Sequence, residues 1–198
     1  MIWIEKVNKI ELGHDGLNHN KLRFYCKLKG SFTKEPYLDL VPNRTQHADL
    51  TRLRISSSRL AIELQRYHRP PVPALQRYCS YCRPAEENNL LQGYVDDEMH
   101  FLLNCSTFAF KRNCFLSKLE TVLPGFKDMS AQQMAVTILC PVTTIAAKLA
   151  NKYIKILFDN RKQLDEGIPI LNLGYEKGIA CNPFFTDHDS DIDDILTD

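Results

Sequence analysis

From residue 44 onward the apolar positions recur at helical spacing. Leu50, Leu53, Ser57, Leu60, Leu64 and Tyr67 fall three or four residues apart, which predicts one helix face, or two short helices broken near Ser56 to Ser58. Arg52, Arg59 and Arg66 lie off that stripe. Pro70, Pro71 and Pro73 then halt helical structure, because proline lacks the amide donor and biases its predecessor to extended backbone. After the cysteine and histidine region the period returns. Ser106 is expected to cap a helix with Phe108, Arg112 (by its aliphatic stem), Phe115, Leu119 and Val122 on its inner face, ended by Pro124-Gly125. Ser130 and Gln133 have the spacing of a capping box for a second helix, which Pro141 stops. A third runs from about Thr144 to Leu164, with Ile145, Leu149, Tyr153 and Ile156 on one side and Lys148, Lys152 and Lys155 on others.

The pattern predicts a mainly α fold: a small helical domain over 44–166, an irregular N-terminal segment over 1–43, and a flexible acidic tail over 167–198. Six aspartates crowd the stretch 187–198, where repulsion and scarce apolar surface predict disorder. The Asp187, Asp189, Asp191, Asp193 series imitates a calcium loop, but Ile192 replaces the glycine that the sharp turn requires.

Composition changes little: with 44% hydrophobic and 25% charged residues the chain reads as an ordinary globular protein. Glu5 and Lys6 interrupt the opening before a secretory core can form, and the longest uncharged run, 129–147, is too polar to span a bilayer. An intracellular setting, cytoplasmic or nuclear, is therefore expected. Charge is more informative. Between Arg44 and Arg83 stand eight arginines and no lysine against Asp49 and Glu63 alone, a local excess of +6 inside a net +1. From Pro84 to Met99 every charged residue is acidic, which predicts a solvated acidic loop.

Seven cysteines make an odd number, unsuited to a complete disulfide framework in a reducing compartment. Cys79 and Cys82 form a Cys-x2-Cys pair able to turn two thiolates toward one cation, and His100 and Cys105 add a nitrogen and a third sulfur after a seventeen-residue loop. Four closed ligands describe a structural Zn2+ site, since a catalytic zinc keeps a position open for water. Spacing alone leaves the alternative that these are buried thiols and a core histidine.

Further residues join these. Leu53-Arg54-Ile55-Ser56, Ile62-Glu63, Arg66-Tyr67, Arg77 ahead of Cys79-x2-Cys82, and the run from Val95 to Cys105 together resemble the zinc-binding region that follows the polymerase in reverse transcriptases of LINE-type (non-LTR) retrotransposons. The resemblance covers about residues 21–112 and departs at Ser106, where that family usually has proline. It implies one structural zinc on Cys79, Cys82, His100 and Cys105, association with RNA or DNA, and docking to a polymerase domain in cis or trans.

The arginine-rich segment nominates Arg52, Arg59, Arg66, Arg69 and Arg77 as phosphate contacts, with Tyr67 and Tyr81 to stack on bases. The competing reading is a protein-interaction or scaffold fragment in which these arginines pair with Glu86, Glu87 or the run 96–98. A third reading, an RNA-directed DNA polymerase, rests on Tyr94-Val95-Asp96-Asp97, which spells the Tyr-x-Asp-Asp signature of two-metal catalysis. No sheet before it offers a third carboxylate, so the match is judged coincidental and the chain non-enzymatic. Neither a membrane nor a small-molecule substrate is expected as a partner. Changing Asp96 and Asp97 to asparagine is expected to leave the fold nearly unchanged.

Overall fold

The computed structural model describes residues 24–29, 33–41, 43–82 and 94–170. The tail from 171, the calcium-like aspartate series, Arg83, Glu86 and Glu87 lie outside the described residues.

The architecture is mainly α, with no strand among the described residues. One-turn helices α1 (Tyr25–Leu28) and α2 (Tyr37–Leu40) precede α3 (Arg44–Arg54) and α4 (Ala61–Leu64). After the cysteine and histidine region come α5 (Ala109–Val122), α6 (Ala131–Leu139) and α7 (Thr144–Asp165). Helix α7 is the axis of the domain. Its inner face carries Leu149, Ala150, Tyr153, Ile154 and Leu157, and α2, α3, α5 and α6 pack against it. The Tyr153 ring stacks on Phe115 at 4.0 Å between centroids, and its hydroxyl donates to the Leu102 carbonyl at 2.6 Å, which satisfies the phenol's one polar atom in an apolar core. Burial holds that phenol's pKa well above the usual tyrosine value.

The expected break near Ser56 is present and has a definite geometry. Ser56 takes a left-handed φ of 50°, Ser56 N–H donates to Leu53 O at 3.2 Å, and Ser57 N–H donates to Arg52 O at 2.7 Å. These two bonds form a Schellman motif that ends α3. A left-handed serine costs on the order of 1–2 kcal/mol. Its buried hydroxyl offsets part of this by donating to Glu98 Oε1 at 2.8 Å.

Among the described residues, side chains cap three of the four helices longer than one turn. Asn43 and Thr143 cap α3 and α7, and Ser130 with Gln133 closes the expected capping box on α6. Replacing Ser130 with alanine is expected to cost about 1 kcal/mol in urea unfolding, since it orphans an amide of the first turn. Ser106 does not cap α5: residues 106–108 form a 3-10 turn, and α5 begins at Ala109 with no side-chain cap. The tight turn consumes the position where a capping hydroxyl would face the helix.

Among the described residues of the N-terminal segment, Phe24, Tyr37 and Val41 are buried in the core. Arg54 holds it there. That guanidinium, 1% exposed, pairs with Glu35, donates to the Leu139 carbonyl, and lies 4.9 Å from the Tyr37 ring centroid. No single helix among the described residues is long and apolar enough to cross a membrane.

Candidate metal centre

A single antiparallel bridge joins the two halves of the Cys and His constellation. Tyr78 faces Val95, with Cys79 N–H donating to Tyr94 O and Asp96 N–H donating to Arg77 O, both at 2.9 Å. The pairing fixes Cys79 beside the segment that leads to His100. From there a π-helical turn, His100–Asn104, swings Cys105 back, closed by Cys105 N–H on His100 O at 2.7 Å. The wider turn places residues five apart, instead of four, on one side. Asp97 starts it, accepting from His100 N–H at 2.8 Å.

Cys79, Cys82, His100 and Cys105 converge so that one ligand atom from each lies within 4.8 Å of the others, and this cluster can hold a metal ion. His100 Nε2 is 3.0 Å from Cys82 Sγ. The other ring nitrogen, Nδ1, is buried without a hydrogen-bond partner, and the ring is oriented by Tyr94, stacked at 5.5 Å. Its backing is therefore aromatic, where a ligating histidine more often donates its second N–H to an acceptor.

The sulfurs compete for one negative charge. Hydrogen bonding from Cys105, reinforced by His100 and opposed by burial, draws Cys79 down to about 3. Burial and the Cys79 thiolate push Cys82 up to about 11, and Cys105 is driven far above the usual thiol value by its bond to Cys79 and by burial. Three thiolates at this spacing require a cation among them. A bound dication removes the competition and releases the protons.

The acidic run beside the site is not a solvated loop, contrary to the sequence expectation. Asp96 and Glu98 are 0% and 1% exposed. Asp96 receives Arg161 end-on at 3.0 and 2.5 Å and accepts from Ala61 N–H at 2.6 Å. Arg161 in turn lies 5.0 Å from the centroid of Tyr81, whose hydroxyl donates to Asp165. The cysteine knuckle, α4 and the end of α7 are thus clamped around one buried ion pair. Asp97 is taken up by its turn, so the two carboxylates serve separate local structures.

The arginine-rich segment also divides. Arg77 is 1% exposed, with Nε donating to Val72 O at 2.8 Å and Nη1 to Ile62 O at 2.6 Å, so its nomination as a phosphate contact is corrected to a buried strut between α4 and the bridge. Arg66 is half-buried, pairs with Glu63 at 3.0 Å and lies over the exposed Tyr67 ring. Tyr81 is half-buried with one face under Arg161, which leaves it poorly placed to stack on a base. Arg52 is exposed but pairs with Asp49 at 2.9 Å, whereas Arg44, Arg59 and Arg69 are exposed. Glu86 and Glu87, two of the expected scaffold partners of this segment, lie outside the described residues. Asp96 instead takes Arg161, which the sequence reading missed.

The chain matches no family model, no curated protein and no solved structure. Fold and site together define a mainly helical domain with a Cys3His cluster able to hold a metal.

Proposed function

We propose that this chain is a non-enzymatic module organised by one structural Zn2+ on Cys79, Cys82, His100 and Cys105, and that it associates with RNA or DNA. The observation that carries the zinc assignment is the convergence of three sulfurs and one imidazole nitrogen within 4.8 Å. At about 2.3 Å per Zn–S bond a tetrahedral ion needs ligand sulfurs roughly 3.8 Å apart. Soft thiolates with one imidazole favour zinc over calcium or magnesium, which take oxygen ligands. A fully protein-ligated ion has no position for a reacting water, so its role is to hold residues 79–105 in shape.

Non-enzymatic character is supported by the chemistry of Asp96, whose carboxylate is occupied by Arg161 and Ala61 and is not free to hold catalytic magnesium. The nucleic-acid reading rests on the exposed cations Arg44, Arg52, Arg59 and Arg69. The resemblance to the post-polymerase region of LINE-type reverse transcriptases agrees with such a module. Zinc-loaded protein is expected to bind single-stranded RNA with little sequence preference. Three phosphate contacts give a log-log salt slope near −2, from about −0.7 per contact. Absence of binding at low salt contradicts this reading.

One observation favours a second reading, docking to protein. Leu64, Tyr67 and Leu75 are 51%, 69% and 81% exposed within one short proline-broken segment, apolar area that a protein partner covers better than a phosphate backbone does.

A further inference from the structure

Between the end of α3 and the C-terminal half of α7 lies a cleft of about 430 Å3, lined by none of the four metal ligands, within the roughly 300–1,000 Å3 typical of ligand sites. The cleft is lined by Arg52, Ser58, Arg59, Phe158, Arg161 and Lys162, together with Asp49, Asp159 and Asp165. The acids are already engaged: Asp49 with Arg52, Asp159 with Lys155, and Asp165 with the Tyr81 hydroxyl. Arg59 is exposed and makes no ion pair among the described residues, and Lys162, its side chain 70% exposed, reaches Glu166 only at 3.9 Å. Two buried polar atoms of lining residues lack any hydrogen-bond partner: Ser58 Oγ and Arg161 Nε. Arg161 is 5% exposed and meets Asp96 through its two Nη atoms, which leaves the Nε edge unused. Orphaned buried donors are uncommon, because each forfeits its hydration without return. Two of them beside the exposed side chains of Arg59 and Lys162 describe a place for an oxyanion.

We infer that this cleft holds one backbone phosphate of a single-stranded nucleic acid, with Ser58 Oγ–H and Arg161 Nε–H donating to its oxygens and Arg59 and Lys162 supplying the counter-charge. The inference rests on the nucleic-acid reading and localises it. An enclosed nucleotide site would bury its cations, whereas Arg52 and Lys162 have side chains 63% and 70% exposed at the mouth, open to a strand that continues past the cleft. Phe158 contributes a half-buried apolar wall against which the sugar can rest.

The test combines two readouts on zinc-loaded protein, with an oligouridine strand and inorganic phosphate as separate probes. In nitrogen-edited NMR the Arg161 Nε–Hε resonance is expected to shift on adding the strand, and to respond to inorganic phosphate only at much higher concentration. By fluorescence anisotropy the Arg59→Gln/Lys162→Gln variant, which alters only exposed side chains, is expected to flatten the log-log salt slope by roughly 0.7, one phosphate's worth. Ser58→Ala is expected to weaken binding without changing that slope, since it removes a neutral donor. A strand that binds with an unchanged slope in the double variant and an unmoved Arg161 resonance overturns the cleft and leaves the nucleic-acid reading standing. Loss of slope on Arg44→Gln/Arg69→Gln instead places the contact elsewhere, and a wild type that binds no strand at low salt overturns both.

Discussion

Replacing Cys82 with serine is expected to abolish zinc uptake and, with it, cooperative unfolding of the domain. Structural zinc contributes on the order of 10 kcal/mol or more to folding, comparable to the whole net stability of a typical domain, roughly 5–15 kcal/mol. Cys82 is the most exposed of the three sulfurs and contributes least to packing, so its loss reports on the metal more than on the core. Urea denaturation followed by circular dichroism, with metal content measured on the same sample, checks the prediction. A Cys82→Ser chain that keeps a sharp transition at the wild-type midpoint contradicts it.

Asp96→Asn is expected to cost about 3–5 kcal/mol. Removing one partner of a buried pair leaves the other charge uncompensated in low dielectric, and the Arg161 guanidinium is 5% exposed. The adjacent Asp97→Asn change is expected to cost less than about 1 kcal/mol, because asparagine accepts from the His100 amide nearly as well as aspartate does. Two neighbouring carboxylates of one acidic run should therefore differ severalfold in thermal or urea stability. Equal, small effects from both would restore the solvated loop inferred from sequence.

The contrast between those two aspartates shows what local pattern conveys. Helix periods located α3, α5, α6 and α7 to within a few residues, and the Ser130/Gln133 box was readable because capping acts over three positions. The Cys3His cluster was readable for a similar reason, since Cys79–Cys82 and His100–Cys105 are each local pairs. The Asp96 to Arg161 pair spans 65 positions and leaves no short-range trace. A weak signal existed on α7, where Ala150, Ile154, Leu157 and Arg161 follow one helical stripe and place a cation where an apolar residue is expected. Arg54 and Arg77 misled in the opposite direction. Charge segregation counts arginines without regard to burial, and both are spent inside the domain on carbonyls, Arg54 also on the Glu35 carboxylate. Ser106 does not cap α5 because the chain leaves Cys105 in a 3-10 turn over residues 106–108, which the helical period beyond it does not announce.

The central claim is that one zinc ion organises residues 79–105 and, through the Arg161 clamp, the end of α7. Native mass spectrometry of the purified chain, before and after a high-affinity chelator, measures it most directly. The account predicts one Zn2+ per chain before treatment, and afterwards a metal-free species whose broadened charge-state distribution reports unfolding. A metal-free chain with the same compact distribution as the untreated protein would contradict it.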